Sequence, residues 1–272
     1  MRVVGVIVFG VCLLVLVGSA SAGGKGKLIR AEAEGSCAIV GMTAEQARHI
    51  ALQRARAAAI EKAAGVKVVS ETLVTNARLA LDFIRAYSRG YIIKEDVRWL
   101  PLGQFQKDPS SAPIPLYRVR IKADVFVPEP RPEVFGLQAF LNAQTFRAGE
   151  ALRVSVSVAK KAVVGVFNLT ADDRVQMLLP NEFVEDVVLG PGQRMVFPQE
   201  DSEINLVVST LEGHSSDTEA IMVVVLDEKC GVRFRSLFPS TRAMGFSEFF
   251  RIYSEIAHCT EDKILPYEVR KR

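Results

Sequence analysis

The sequence predicts an α+β domain, a small antiparallel sheet with two helices, followed by an all-β sandwich-like domain with a C-terminal helix. Three observations predict it. An alanine-rich helical stretch, signalled at both ends, lies between β-prone segments. The run Leu116–Val127 alternates between apolar and charged residues. Beyond a proline spacer, short apolar runs separated by turn residues dominate. The expected units are residues 1–22 as signal peptide, 28–127 as α+β domain, 128–133 as linker, and 134–272 as β-sandwich with a helical extension.

Composition sets the outer limits. A chain of 272 residues suggests one or two domains, and a hydrophobic fraction of 49% is ample for a core. The formal net charge is +3, and Arg2 is the only charged side chain in residues 1–22, so the rest carries +2. That near-neutral balance argues against a nucleic-acid or anionic-membrane partner.

Met1–Ala22 has the order of a secretory signal peptide: Arg2, the apolar run Val3–Val17, then the small-residue site Ala20-Ser21-Ala22. A retained membrane anchor competes with this reading, but the run of about 15 residues is short of the roughly 20 that span a bilayer. A lipoprotein is the third option; Cys12 follows Phe9-Gly10-Val11, without the small residue expected just before a lipidated cysteine. The chain is therefore expected to be periplasmic or secreted, with no stable transmembrane anchor after cleavage.

Gly23–Lys27 reads as a leader and Leu28–Val40 as β-prone, interrupted at Gly35. Thr43 with Gln46 forms a capping box that starts a helix. Ala44, Ala47, Ala51, Ala55 and Ala58 recur at helical spacing, with Leu52 and Ala59 at the stripe's edge, and Gly65 is a C-cap candidate. Arg48, Arg54, Arg56, Glu45 and Glu61 fall mostly off the stripe. Their mixed signs and the lack of aromatic companions make a packing helix the better reading than a nucleic-acid surface.

Val66–Thr75 is rich in β-branched residues and reads as strand or irregular. Ala77–Tyr87 reads as a second helix with Leu79, Phe83 and Ile84 apolar, ended near Gly90. Tyr91–Leu100 is a strand and Pro101–Pro115 a loop. In Leu116–Val127, Val119, Ile121, Ala123 and Val125 face one way and Arg118, Arg120, Lys122 and Asp124 the other, the mark of a half-buried antiparallel strand. Pro128–Glu133, with alternating prolines, is a stiff spacer between two separately folding domains.

After it, the expected strands are Leu152–Val158, Ala162–Leu169, Arg174–Leu179, Val187–Leu189, Met195–Phe197, Ile204–Thr210 and Ala220–Leu226. A last helix carries Phe249, Phe250, Tyr253 and Ile256 on one face, with Ser247 as its cap, and Pro266–Arg270 is a short extended end.

Few motifs carry chemistry. The histidines His49, His214 and His258 have no serine or cysteine partner at motif spacing, and no P-loop, Gly-x-Ser-x-Gly or His-Glu-x-x-His is present. Asp172-Asp173 resembles a calcium-loop fragment without the rest of its ligand pattern, and a hairpin turn is the better reading. Asn168-Leu169-Thr170 fits a glycosylation sequon but lies in a strand setting. Past the leader, Cys37, Cys230 and Cys259 remain. Cys230 and Cys259 share a region and are the expected disulfide, leaving Cys37 as a buried thiol. A zinc site from Cys230, His258 and Cys259 is the alternative, against which the adjacency of His258 and Cys259 speaks.

Several motifs occur in a telling order: the Glu34-Gly35 turn-in, Ala47-Arg48 with Ala51, Ala55 and Ala58, then Ala64-Gly65-Val66. Val69-Ser70-Glu71-Thr72, Thr75-Asn76, Ser88-Arg89-Gly90-Tyr91-Ile92 and Tyr117-Arg118-Val119 follow. Through them Ala31–Val127 resembles the N-terminal domain of flagellar assembly protein T and related bacterial secreted proteins.

Phe167-Asn168-Leu169, Asp172-Asp173-Arg174-Val175, Leu178-Leu179-Pro180-Asn181-Glu182-Phe183, Gly190-Pro191-Gly192, Phe197-Pro198 and Leu265-Pro266-Tyr267-Glu268-Val269 resemble a second family. It is an uncharacterised bacterial domain found in exported proteins and attached to some protein kinases. It brings no catalytic residues.

The resemblances imply an exported bacterial envelope protein acting as a non-enzymatic assembly or protein-interaction module, associated with a flagellum or another surface structure. Its expected partner is an envelope protein or a second copy. The alternative is an extracytoplasmic sensor or small-ligand-binding protein. No catalytic residue, cofactor or metal is expected.

Overall fold

The computed structural model describes residues 26–65, 86–87, 89–106, 108–129, 134–200 and 202–272. The expected signal peptide, the Val66–Thr75 segment, residues 77–85 of the second helix and residues 130–133 of the spacer lie outside the described residues; Ala86 and Tyr87 are helical.

The first part is built from β1 (Gly26–Ala38), α1 (Ala44–Ala64), β2 (Tyr91–Trp99), β3 (Gly103–Phe105) and β4 (Ile114–Pro128). The strands form an antiparallel sheet in the order β1-β4-β2, with β3 beside β4 inside the segment expected to be all loop. Strand β4 splits as its alternation requires: Val119, Ile121, Ala123 and Val125 are fully buried. On the opposite, solvated face Arg30 binds Asp124 at 2.8 Å and Arg120 binds Glu34 at 2.5 Å.

Helix α1 lies on the apolar face. Thr43 and Gln46 make both halves of the capping box, and Gly65 closes the helix in the left-handed region at φ 71°. The fully buried alanines are Ala47, Ala51, Ala55 and Ala59. Ala44 is exposed and Ala58 half-buried, so the stripe follows the four-residue spacing more strictly than expected.

Strand β1 is not interrupted at Gly35. That glycine is where α1 crosses the strand: a Cβ there would sit 2.1 Å from the Ala51 carbonyl oxygen and 2.5 Å from the Ala55 nitrogen. The missing side chain sets the approach of helix and sheet rather than breaking the strand.

The second part holds β5 (Gln138–Leu141), β6 (Thr145–Arg147), β7 (Val154–Ser157), β8 (Ala162–Leu169), β9 (Arg174–Leu179), β10 (Val187–Leu189), β11 (Arg194–Phe197), β12 (Ser216–Leu226), β13 (Met244–Gly245) and β14 (Thr260–Arg270). It also holds a helical turn, α2 (Phe234–Leu237), and helix α3 (Phe246–Ile256). A large sheet runs β13-β9-β8-β12-β14-β6 with β10 on the free stretch of β8, and a three-stranded sheet runs β11-β7-β5. All pairings are antiparallel except β14 with β6.

Strand β12 explains the layering. Ala220, Met222, Val224 and Leu226 belong to one core, while Ile221, Val223 and Val225 belong to another. The second core fills the space between the two sheets, the sandwich. The first lies on the other face of the large sheet, takes in Phe234, Phe249, Phe250 and Tyr253, and continues to Ile60 of α1 and Ile92 of β2. The core therefore crosses the expected boundary at Pro128–Glu133, with Tyr91 of β2 stacked on Phe250 of α3 at 5.1 Å between ring centroids. Just past the spacer, the Glu261 carboxylate accepts from the Phe135 and Leu137 amides at 2.7 and 2.8 Å, fastening this segment to β14.

Three expectations need correction. Ile204–Thr210 contributes only an isolated bridge, Val207 with Ala151, because its backbone is satisfied by the bend at Gly149–Leu152. The C-terminal end is not short: β14 spans 11 residues against β12. Its Pro266 is tolerated because β6 covers only Glu268–Arg270, which leaves an open edge at the proline. Ser247 does not cap α3. The helix begins at Phe246 with Gly245 at the cap position, two residues earlier than a Ser247 cap would set it, and the Asp173 carbonyl accepts from the Phe246 amide at 3.2 Å.

Candidate functional site

Helix α1 and the β8–β9 turn meet in an ionic cluster. Arg56 was expected off the packing stripe but is buried, because it follows Ala55 on the face turned toward β2 and the second part. Its Nε and Nη2 donate to Glu95 of β2 at 3.0 and 2.6 Å, and its Nη1 donates to Asp173. Burial opposes the guanidinium charge, but Asp173 and Glu95 outweigh it and push its pKa up. Burial also pushes the neighbouring Tyr87 phenol up. Asp173 holds a positive φ of 61°, which aims its side chain back at α1, and its Oδ1 is buried without a hydrogen-bond partner. The sequence predicts a hairpin turn at Asp172-Asp173. It is one, joining β8 to β9, but the ion pair across 117 positions was not foreseen. The available signal was an arginine set directly beside the alanine stripe.

Next to this cluster a cleft of about 460 Å³ opens between the two parts. Glu45, Gln46, His49, Ile50 and Gln53 of α1 form one wall; Ala171, Asp172, Leu211, Glu212, His214, Ser216, Asp217 and Thr218 form the other. His49 shares a 2.8 Å hydrogen bond with Gln53 and lies 3.7 Å from Asp173. His214 is 2.6 Å from Asp217, whose other oxygen accepts from the Leu211 amide at 2.6 Å. Two of the histidines that lacked motif partners in sequence therefore share one cleft.

A second cavity, about 620 Å³, lies on the second part between β8, the segment leading into β10 and α2. Val163, Val188 and Val232 supply apolar surface, and Glu185, Asp186, Glu228, Arg233 and Arg235 supply charge. The turn before it is firmly held. Asn181 accepts from the Phe183 and Val184 amides at 2.9 and 2.8 Å and donates to Leu178 at 2.8 Å. Arg235 donates to the Asn181 and Val184 carbonyls. This turn presents Phe183 with 75% of its surface exposed.

Cys230 and Cys259 are joined by a disulfide with Cα atoms 6.2 Å apart, closing the excursion that carries α2 and α3. Cys37 is the free cysteine among the described residues. Burial raises its thiol pKa, opposed by Arg54. His258 lies beside the disulfide, the one group of metal-ligand type found among the described residues, with both sulfurs committed to the bond.

A further buried polar set lies within the second part. Tyr267 donates to Glu219 at 2.6 Å and lies 3.0 Å from the Asn168 oxygen. Asn168 of the sequon is thus engaged in this set. Burial raises the Glu219 pKa, partly opposed by the hydrogen bonds from Tyr267 and Asn168.

No helix among the described residues is long and apolar enough to cross a membrane. A family described as a domain of unknown function (DUF4384) matches residues 145–225, within the part expected to resemble an uncharacterised domain. No curated protein matches the chain.

Proposed function

We propose that the protein is an exported, non-enzymatic interaction module of the bacterial envelope, with an envelope protein or a second copy as its partner. The observation that carries this reading is Phe183: a large aromatic side chain, 75% exposed, on a turn clasped by Asn181 and Arg235 within the family-matched segment. A rigid aromatic held out of the fold loses little conformational entropy on docking, which suits an interface anchor. The resemblance of Ala31–Val127 to the N-terminal domain of flagellar assembly protein T supports an assembly setting, and the order of Arg2, the apolar run and Ala20-Ser21-Ala22 supports export.

Placing a photo-crosslinking amino acid at position 183 in intact cells tests the reading. A defined envelope protein, or a dimer of this chain, should be trapped. An adduct pattern identical to that from an exposed control position such as 110 would overturn it. The mature chain should begin at Gly23; recovery of Met1 would overturn export.

A second reading, capture of a small extracytoplasmic ligand, is favoured by the cleft between α1 and the Leu211–Thr218 segment, whose walls come from both parts and carry apolar and polar side chains.

A further inference from the structure

Resting on the interaction-module reading, we infer that the partner at Phe183 is a second copy of this chain. The Phe183 ring of each copy seats in the cavity of about 620 Å³ of the other, across a two-fold axis. Three features carry this.

The first is adjacency. Phe183, 75% exposed, and the cavity form one patch. Glu185 and Asp186, two and three residues past the ring, stand in the cavity lining. Arg235 lines it too, and it clasps the Phe183 turn through the Asn181 and Val184 carbonyls. A projection beside a hollow is what an isologous interface requires, because a two-fold axis between them carries each projection into the other copy's hollow. A partner of different sequence would have to supply both a hollow for Phe183 and a filling for the cavity. A copy of the chain supplies both at once.

The second is the lining. Val163 and Val232 are half-buried and pack on the core beneath, so this apolar surface is held in place by the fold. Val188 of β10, 40% exposed, adds to it. Arg235 is engaged by the turn, whereas Arg233 is exposed and offers a guanidinium to the face of an incoming ring. Buried aromatic anchors with arginine neighbours are the usual centre of a protein interface.

The third is charge. Glu185 and Asp186 stand on the β10 side of the cavity and Arg233 on the α2 side. Glu228, the other acid of the lining, is already met by Lys161 at 2.8 Å. A two-fold axis between the two sides sets the acidic side of each copy against the basic side of the other, so the patch is complementary to itself.

Sedimentation equilibrium of the mature protein tests this, with variants of the projection and of the hollow. Phe183→Ala removes the projection and Ser236→Trp fills the hollow; both positions are exposed, so the melting temperature should not change. Val188→Trp fills the hollow from the opposite wall and should act as Ser236→Trp does. The wild-type protein should dimerise reversibly, and each variant alone should weaken the dimer at least about tenfold. Mixed in equal amounts, Phe183→Ala and Ser236→Trp should pair with each other more tightly than either pairs with itself, since the filled copy still offers its ring to the open hollow of the other. A wild-type protein that stays monomeric, a dimer that survives Phe183→Ala, or a mixture no tighter than its components overturns the assignment. The crosslinker at position 183 separates this failure from failure of the interaction reading. A defined envelope protein trapped in place of a second copy overturns self-pairing and leaves the module; trapping neither overturns both.

Discussion

Helices α1 and α3 bury their inner faces in opposite ways. Helix α1 uses the smallest side chains: Ala47, Ala51, Ala55 and Ala59 are fully buried, and its backbone nearly touches β1 at Gly35. Helix α3 uses the largest: Phe249, Phe250 and Tyr253 are fully buried, and Phe250 packs rings against Tyr87, Tyr91 and Phe249. The first arrangement gains close backbone approach over the length of a helix. The second reaches outward, and through Tyr91 it holds the first part of the chain to the second. An alanine stripe suits a helix seated on its own sheet, whereas aromatic reach suits a helix that must span between layers.

The largest expected effect comes from breaking the aromatic side of that contrast. Phe250→Ala should cost about 3–5 kcal/mol, as for other large-to-small core changes. Because the lost ring bridges the two parts, limited proteolysis near Pro128–Glu133 should accelerate as well; unchanged proteolysis would show that α3 is not the fastening. Gly35→Ala attacks the other side. Its methyl group has no room beneath the Ala51 carbonyl, and about 3 kcal/mol should be lost. The urea midpoint should fall, and hydrogen exchange should speed up mainly in α1 and β1.

Replacing both Cys230 and Cys259 by serine should cost about 2–3 kcal/mol, less than the ideal chain-entropy value. The loss should be felt first in α3, whose excursion the bond closes. In the native oxidised protein Cys37 should resist thiol reagents, and after denaturation it should be the one of Cys37, Cys230 and Cys259 that reacts.

The smallest effect compares two buried charges. Arg56 has carboxylate partners, whereas Glu219 has only neutral ones among its hydrogen bonds. Burial raises the folded pKa of Glu219 above its unfolded value, so the fold prefers the protonated form. The associated stability is fully present below the unfolded pKa, near about 4.3, and is lost as pH rises through the higher folded value. Glu219→Gln should flatten that decline. The melting-temperature difference, variant minus wild type, should grow from pH 4 to pH 8. A difference independent of pH would mean that folding leaves the Glu219 pKa unshifted.

Much of this architecture is legible locally. The capping box at Thr43 and Gln46, the Gly65 C-cap and the alternation of β4 follow from spacing alone, because each depends on residues within a few positions. Ala162–Leu169, Arg174–Leu179 and Val187–Leu189 are bounded by turn residues and match the observed strands. What escaped depends on distant partners. Gly35 reads as a breaker until α1 is known to cross it. Ile204–Thr210 has strand composition but no neighbour to pair with along its length. Arg56 reads as solvated until Asp173, far along the chain, turns toward it. The two histidines of the cleft, His49 and His214, come from separate parts of the chain, so no local pattern unites them.

The family match ends at residue 225, one position before the end of β12. Beyond that point lie β14, which pairs with β12 along 11 residues, and α3, which covers the opposite core. A fragment excised at the limits of the match would leave β12 with a bare edge where β14 pairs and would uncover an apolar face, and it should aggregate rather than fold. In this protein the recognisable segment is a borrowed half-shell: the tail that follows it seals the edge and carries the aromatic latch to the rest of the chain.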